Sequence, residues 1–132
     1  MYISQMLRSQ NVLETLIKFR EWEKSKLPSP KSSLCYELFL IITFHSKNNT
    51  SITLYQLYLT LGYTQKAIQH QLKILIQDGW CELLKDPQDK RIKRAVASKK
   101  MLDLADQYTI FIYEVVIKNI QSELQRLKLN VE

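Results

Sequence analysis

Apolar residues recur at helical steps through most of the chain, and the places where that rhythm breaks are few. In the middle, Leu57 and Leu61, then Ile68, Leu72 and Leu75, stand three or four residues apart. Such spacing puts them on the facing sides of two helices, expected at about residues 54–61 and 64–78. A glycine follows each one, Gly62 and Gly79, and the chain has no others. Glycine takes the left-handed conformation that closes a helix, so both are expected as C-terminal stops. Thr53 and Thr64 precede the two apolar runs. A hydroxyl there accepts from a backbone N–H two or three residues on, so both are expected N-caps.

The rhythm then shortens. Residues 80–85 and 93–97 read as strands on either side of Asp86-Pro87-Gln88-Asp89. Asp starts a turn there, Pro fixes its backbone angle, and the second Asp tolerates turn geometry. Ser51-Ile52-Thr53 is expected as a short third strand beside that hairpin. Two helices at a corner occur in many helical proteins. Helix, turn, helix, hairpin is the narrower order of a winged helix-turn-helix, which lays its second helix in a DNA major groove. The expected fold class is therefore mainly α with a small β-hairpin wing.

Helices flank this middle on both sides. Residues of about 2–25 carry Ile3, Leu7, Leu13, Leu16 and Ile17, with Phe19 and Trp22, as an apolar stripe. Glu14 and Lys18 form an i,i+4 pair in the favourable order. Residues 25–33 hold two prolines and several serines and read as a linker. Ser32 or Ser33 is expected to cap a helix over 34–46. That helix is apolar nearly all round, which predicts a place in the middle of the core. Its Cys35 is expected as a small core hydrophobe, and His45 near its end as a capping cation. The last region, 98–129, has neither Gly nor Pro. Leu102, Ala105, Tyr108, Ile112, Val115 or Val116, Ile120, Leu124 and Leu127 mark its stripe, as one long helix or two joined near 108–111. More apolar surface runs through 108–120 than one small lobe can cover, which points to an interface.

Charge sharpens this picture. The 132 residues are expected as one domain and carry a net charge of +6. Residues 64–100 hold nine cations against four anions, so five of the six net charges lie there. A basic surface of that kind fits nucleic acid. No basic amphipathic helix offers a membrane an apolar face, and the most apolar stretch, 34–44, is too short to span one. Cys35 and Cys81 have neither metal spacing nor a disulfide framework, and the start lacks a leader pattern, so a reducing cytoplasm is expected. There is no Ser/His/acid arrangement, phosphate loop or metal cluster. No catalysis, metal or cofactor is expected.

Specific contacts follow from the element order. The second helix of the pair begins at Thr64 and exposes Gln65, Lys66, Gln69, His70 and Lys73. Glutamine pairs bidentately with adenine, and lysine donates to guanine or phosphate. Gln71 lies on the flank and is a weaker candidate. The hairpin tip runs Lys90-Arg91-Ile92-Lys93-Arg94, four cations in five residues. Lys90, Lys93 and Arg94 are expected to hold phosphates, and Arg91 to reach DNA from the wing.

These same residues resemble the DNA-binding lobe of the MarR family of bacterial transcription regulators, over 52–91. Asp86-Pro87-x-Asp89-x-Arg91 matches the Asp-Pro-x-Asp-x-Arg wing of that family. Gly62, Thr64, Ile68, Leu72, Leu75 and Gly79 fall where its helix-turn-helix has them. The segments Leu-Gly-Tyr-Thr-Gln (61–65) and Lys-Ile-Leu (73–75) are similar to the SarA branch. His70, Gln71, Trp80 and Cys81 depart from the family pattern. The resemblance implies a DNA-binding lobe at about 34–97 and dimerisation helices at about 2–25 and 98–129. It also implies Arg91 in a minor groove, braced by Asp89, and double-stranded DNA and a second copy of the chain as partners. A small aromatic effector would be met by Tyr36, Tyr55, Tyr58, Tyr108 and Phe111. Oxidant-sensing relatives keep their cysteine in the first helix, a position Cys35 does not match. Two other readings share the fold: a protein-interaction platform without DNA binding, and a DNA-binding component of replication or partition.

Overall fold

A computed structural model describes residues 9–28 and 32–131. Its helices are α1 (Ser9–Lys26), α2 (Ser33–Lys47), α3 (Leu54–Thr60), α4 (Gln65–Gln77) and α5 (Lys99–Val131). Its strands are β1 (Ile52–Thr53), β2 (Cys81–Lys85) and β3 (Lys93–Ala97), in the antiparallel order β1-β3-β2. The chain divides into two compact units. Residues 27–106 form a lobe, and α1 with α5 from Gln107 onward forms the other unit. The fold is the winged helix expected from the element order.

Local chemistry starts each helix of the lobe. Ser32 caps α2, its hydroxyl accepting from the Cys35 N–H at 3.2 Å. Thr53 caps α3 within a reciprocal box: Thr53 Oγ1 accepts from Gln56 N–H, and Gln56 Oε1 accepts from Thr53 N–H. Thr64 caps α4, accepting from Ala67 N–H at 3.1 Å. Ser98 receives the Met101 N–H at the head of α5 while donating to the Trp80 carbonyl. Each cap of this kind is worth about 1 kcal/mol.

The lobe closes on Leu38, Phe39 and Ile42 of α2, Leu57 of α3, Ile68, Leu72 and Leu75 of α4, Ala95 of β3 and Met101 of α5, all buried. The stripes of α3 and α4 thus face inward as their spacing predicted. Burying one such large side chain contributes roughly 1.5–3 kcal/mol. The lobe also takes in the first two turns of α5, where Met101, Leu104 and Ala105 are buried. It therefore reaches further than 34–97. Cys35 and Cys81 are both buried, and burial pushes both thiols up to about 11, so neither forms a thiolate near neutrality. That is the inert core cysteine expected at position 35.

Three expectations change. Gly62 does not close α3 in the left-handed region. Leu61 is the C-cap, in extended backbone, and only Gly79 (φ 80) and Asn49 (φ 56) have positive φ among the described residues. The corner needs an extended exit, and any residue supplies that. Second, α2 is not buried all round: Leu40 and Phe44 are 55% and 62% exposed. The lobe covers the face of Leu34, Cys35, Leu38, Phe39 and Ile42 and leaves the opposite side bare. Third, α1 turns inward only the Phe19 and Trp22 part of its stripe. Trp22 stacks on Tyr108 at 4.5 Å and on Phe111 at 5.7 Å, Phe19 meets Phe111 edge-on, and Thr15 accepts from Asn119. Leu13, Leu16 and Ile17 are exposed, and Ile3 and Leu7 lie outside the described residues. Of the two forms expected for the last region, the structure has the single one, an unbroken 33-residue helix.

Within the α1/α5 unit, Glu23 is a buried carboxylate. It accepts from the Tyr108 hydroxyl and pairs with Arg20 at 2.6 Å. Burial, then this hydrogen bond, pushes the Tyr108 phenol well up from its ordinary value. Among the described residues, no helix is long and apolar enough to cross a membrane.

The two glycines separate by experiment. A Cβ at either position meets nothing within 4 Å, so only backbone conformation distinguishes them. Gly79→Ala is expected to destabilise by about 1–2 kcal/mol, the left-handed penalty for an L-residue. Gly62→Ala is expected to be neutral or to stabilise by up to about 1 kcal/mol. Urea denaturation of the two variants checks the contrast.

Candidate nucleic-acid interface

The rotation of α4 decides what the lobe displays. With Ile68, Leu72 and Leu75 in the core, Gln65, Lys66, Gln69, His70 and Lys73 all stand exposed on the other side. Thr64 is exposed too, but its hydroxyl is engaged as the cap. Gln71 is only 5% exposed, its Oε1 lying 3.5 Å from the Ser32 hydroxyl, which removes it from the solvent face. Its Nε2 has no partner among the described residues. Gln69 donates from Nε2 to the Tyr58 hydroxyl of α3 at 2.8 Å. The corner is tied to α2 by Tyr63, whose hydroxyl donates to Glu37 at 2.7 Å.

The far end of α4 is held by its neighbours. Gly79 closes it, and Lys100 donates to the Asp78 carbonyl at 2.9 Å while lying 4.0 Å over the Trp80 ring. A cation at a helix C-terminus meets the negative end of the helix dipole. Lys100 therefore acts here as an anchor, and Trp80 is its platform.

Two carboxylates build the wing. Asp86 Oδ2 accepts from the Gln88 and Asp89 N–H groups at 3.0 Å. Asp86 Oδ1 accepts from Arg94 Nε at 2.8 Å, and Arg94 Nη1 donates to the Ser51 carbonyl at 2.7 Å. One arginine thus joins the hairpin base to the segment leading into β1. At the tip, Asp89 accepts from Arg91 N–H and from both Nε and Nη2 of Arg91, each at 3.1 Å. The Arg91 side chain is 91% exposed. An exposed pair of this kind is screened by solvent and contributes little to stability, so it orients the tip without locking it.

These elements stand side by side. A hollow of about 330 Å³ between α4 and the hairpin is lined by Leu54, Gln69, Leu72, Lys73, Ile76, Gln77, Leu83 and Lys93. Lys73 of the helix and Lys93 of the wing thus border one space. The structure brings Gln65, Lys66, Gln69, His70 and Lys73 onto one helix face and places Lys90, Arg91 and Lys93 exposed on the adjoining wing. Arg94 is the outlier, half-buried with its guanidinium engaged by Asp86 and Ser51. Sequence spacing did not reveal the parts of Tyr58, Lys100 and Ser51, because their partners lie 11, 22 and 43 residues away along the chain. Among the described residues, no group of three His, Cys, Asp or Glu gathers to hold a metal.

No family model matches the chain, and no curated protein does by sequence. Solved structures do share the fold. The Staphylococcus aureus MepR–DNA complex aligns over 100% of both chains with a TM-score of 0.61 and 14% identity. MepR, described as a transcription regulator of the S. aureus multidrug efflux pump MepA, aligns over 98% of this chain and 91% of its own, with a TM-score of 0.64 and 14% identity. The heme sensor protein PefR from Streptococcus agalactiae, in complex with heme, aligns over 93% and 86%, with a TM-score of 0.58 and 14% identity. The chain shares the fold of these structures, and it is the winged helix that the wing and helix motifs implied.

The wing carboxylates give a pH prediction. Arg94 holds Asp86 below the usual carboxylate value, and Arg91 does the same for Asp89, with backbone N–H groups adding to both. A depressed carboxylate contributes above its unfolded pKa, near about 3.9, and loses the contribution as pH falls through the folded value. Amide resonances of Gln88, Asp89 and Arg91 are therefore expected to hold steady from about pH 5 to 8 and to move only below about pH 4. A titration followed by two-dimensional NMR checks this.

Proposed function

We propose that the protein is a dimeric, sequence-specific regulator of transcription that binds double-stranded DNA. α4 enters a major groove, and Arg91 at the wing tip enters the flanking minor groove, where narrow A·T stretches attract arginine. Gln65, Lys66, Gln69, His70 and Lys73 meet base edges or nearby phosphates, with Thr64 at the helix entry. Lys90 and Lys93 hold phosphates. Arg94 acts chiefly as the brace of the wing, through Asp86 and Ser51. The single observation that carries this reading is the shared surface: an uncharged-and-cationic polar face of α4 beside an arginine-tipped, carboxylate-braced wing, in the segment that holds five of the six net charges. The likeness to MepR, solved on DNA, supports it.

The dimer rests on α5. Ile110, Tyr113, Ile117, Ile120 and Leu124 are exposed at alternating three- and four-residue steps, the seam pattern of packed helices. Leu13, Leu16 and Ile17 of α1 add to the exposed apolar surface. A second copy is the partner that suits a self-complementary seam. Two-fold symmetry then gives a pseudo-palindromic site with half-sites about one helical turn apart. A small aromatic effector is a subsidiary part of the proposal, supported by the heme of PefR. Of the side chains expected to meet it, Tyr108 and Phe111 stack on Trp22, and Tyr58 receives Gln69.

Affinity for a duplex is expected to fall linearly with salt on logarithmic axes, by about 0.9 per phosphate held. Lys93→Ala is expected to lower that slope by about one without changing the preferred sequence. Fluorescence anisotropy across a salt series measures both, and sedimentation at micromolar concentration is expected to give a dimer. An absence of DNA binding at low salt would favour the protein-interaction platform, and a monomer would remove the palindrome.

A further inference from the structure

The wing has two faces, and the strand register decides which residues each one carries. Successive side chains of a strand point to opposite sides, and facing residues of paired strands share a side. Ala95 of β3 faces Leu83 and Ile52 on the side of the core, where Ala95 and Ile52 are buried. Lys93 lies on that same side and, with Leu83, borders the hollow against α4. Arg94 faces Leu84 and Thr53 on the other side. There a second hollow, of about 620 Å³, opens between the wing and the α2–β1 connection. His45, Asn49, Thr50, Ser51, Gln56 and Gln88 line it, each with a side chain that donates hydrogen bonds. Asp86 and Arg94, which also line it, are paired with each other at 2.8 Å. Gln56 commits its Oε1 to the α3 cap, which leaves its Nε2 amide to the hollow.

We propose that this outer hollow is a second phosphate site, in which amide and hydroxyl donors hold the DNA strand on the side of the minor groove away from α4. This rests on the DNA-binding reading above and deepens it. The minor groove is only about 6 Å wide, so a backbone wall passes on each side of an arginine standing in it. With Arg91 there, the wall towards α4 meets Lys73 and Lys93, and the other wall meets the outer hollow. Neutral amides and hydroxyls bind phosphate oxygens and fix the register on a duplex without reading its bases. They add no cation, so they strengthen binding without steepening its dependence on salt. The site sets how the wing stands in the groove, and the sequence preference stays with α4 and Arg91.

Asn49→Gly combined with Gln88→Ala removes two of the amides. Asn49 has φ 56, a conformation that glycine takes freely, and Gln88 stands exposed in the turn. Wild type and this double variant are measured by fluorescence anisotropy on the duplex that wild type selects from a random-sequence pool. Copies of that duplex carry a neutral methylphosphonate in place of one phosphate at a time. Thermal melting confirms the fold, and Gln88→Ala alone carries the same comparison if the double variant does not fold. Wild type is expected to lose about tenfold in affinity at one phosphate of the wall away from α4, the scale of a hydrogen bond to a charged group. The double variant is expected to bind the unmodified duplex about tenfold more weakly, with the same salt slope and the same preferred sequence. It loses nothing more from that methylphosphonate, whereas Lys93→Ala keeps the wild-type sensitivity there. Sensitivity of wild type only along the wall towards α4, or a tenfold loss by the double variant at the far phosphate, would overturn the proposal and leave DNA binding standing. A wild type that binds no duplex at low salt overturns both.

Discussion

The surface of the lobe depends on the burial of three side chains. Ile68, Leu72 and Leu75 are almost completely removed from solvent, and they set the rotation of α4 about its own axis. A turn of 100° would hide Gln65 and Gln69 and expose leucine. Removing any of the three would open a cavity costing roughly 2–5 kcal/mol, a large share of the stability of a domain this small. The caps at Thr53 and Thr64 then fix where the helices begin. Lys100 and Gly79 fix where α4 ends. The polar face is what remains once packing has chosen the other side.

The wing solves a different problem. A β-hairpin tip has little core to hold it, so its shape comes from hydrogen bonds to two carboxylates. Asp86 gathers two backbone N–H groups and Arg94, and Asp89 gathers one N–H and Arg91. The two arginines differ in consequence. Arg94 reaches the Ser51 carbonyl and links the hairpin to the rest of the sheet, whereas Arg91 points out on a pair weak enough to exchange for a phosphate or a groove. Charge is thus used twice in one loop, once to build it and once to present it.

Much of this was legible in the sequence because it is local. Caps, the wing turn and the inward face of α4 depend on residues three or four apart, and they came out as their spacing implied. What the sequence hid depends on partners far along the chain. Arg94 reads as one more cation of a basic tip until Asp86 and Ser51 are seen around it. Gln71 lies in the core beside Ser32, 39 residues away. The inward face of α1 is chosen by Tyr108, Phe111 and Asn119, so Leu13, Leu16 and Ile17 point out although they are the more apolar residues. Gly62 shows the limit of residue-type reasoning: glycine permits a left-handed stop, and the corner at Leu61 does not require one.

The central claim is that the polar face of α4 and the wing form one surface that closes on DNA. Hydrogen exchange of the protein, alone and on a duplex selected from random sequence, tests it most directly. The account predicts slowed exchange in two stretches, 64–73 and 86–94, with α1 changing little. Protection confined to α1 and to α5 beyond residue 107, with both of those stretches unaltered, would contradict it.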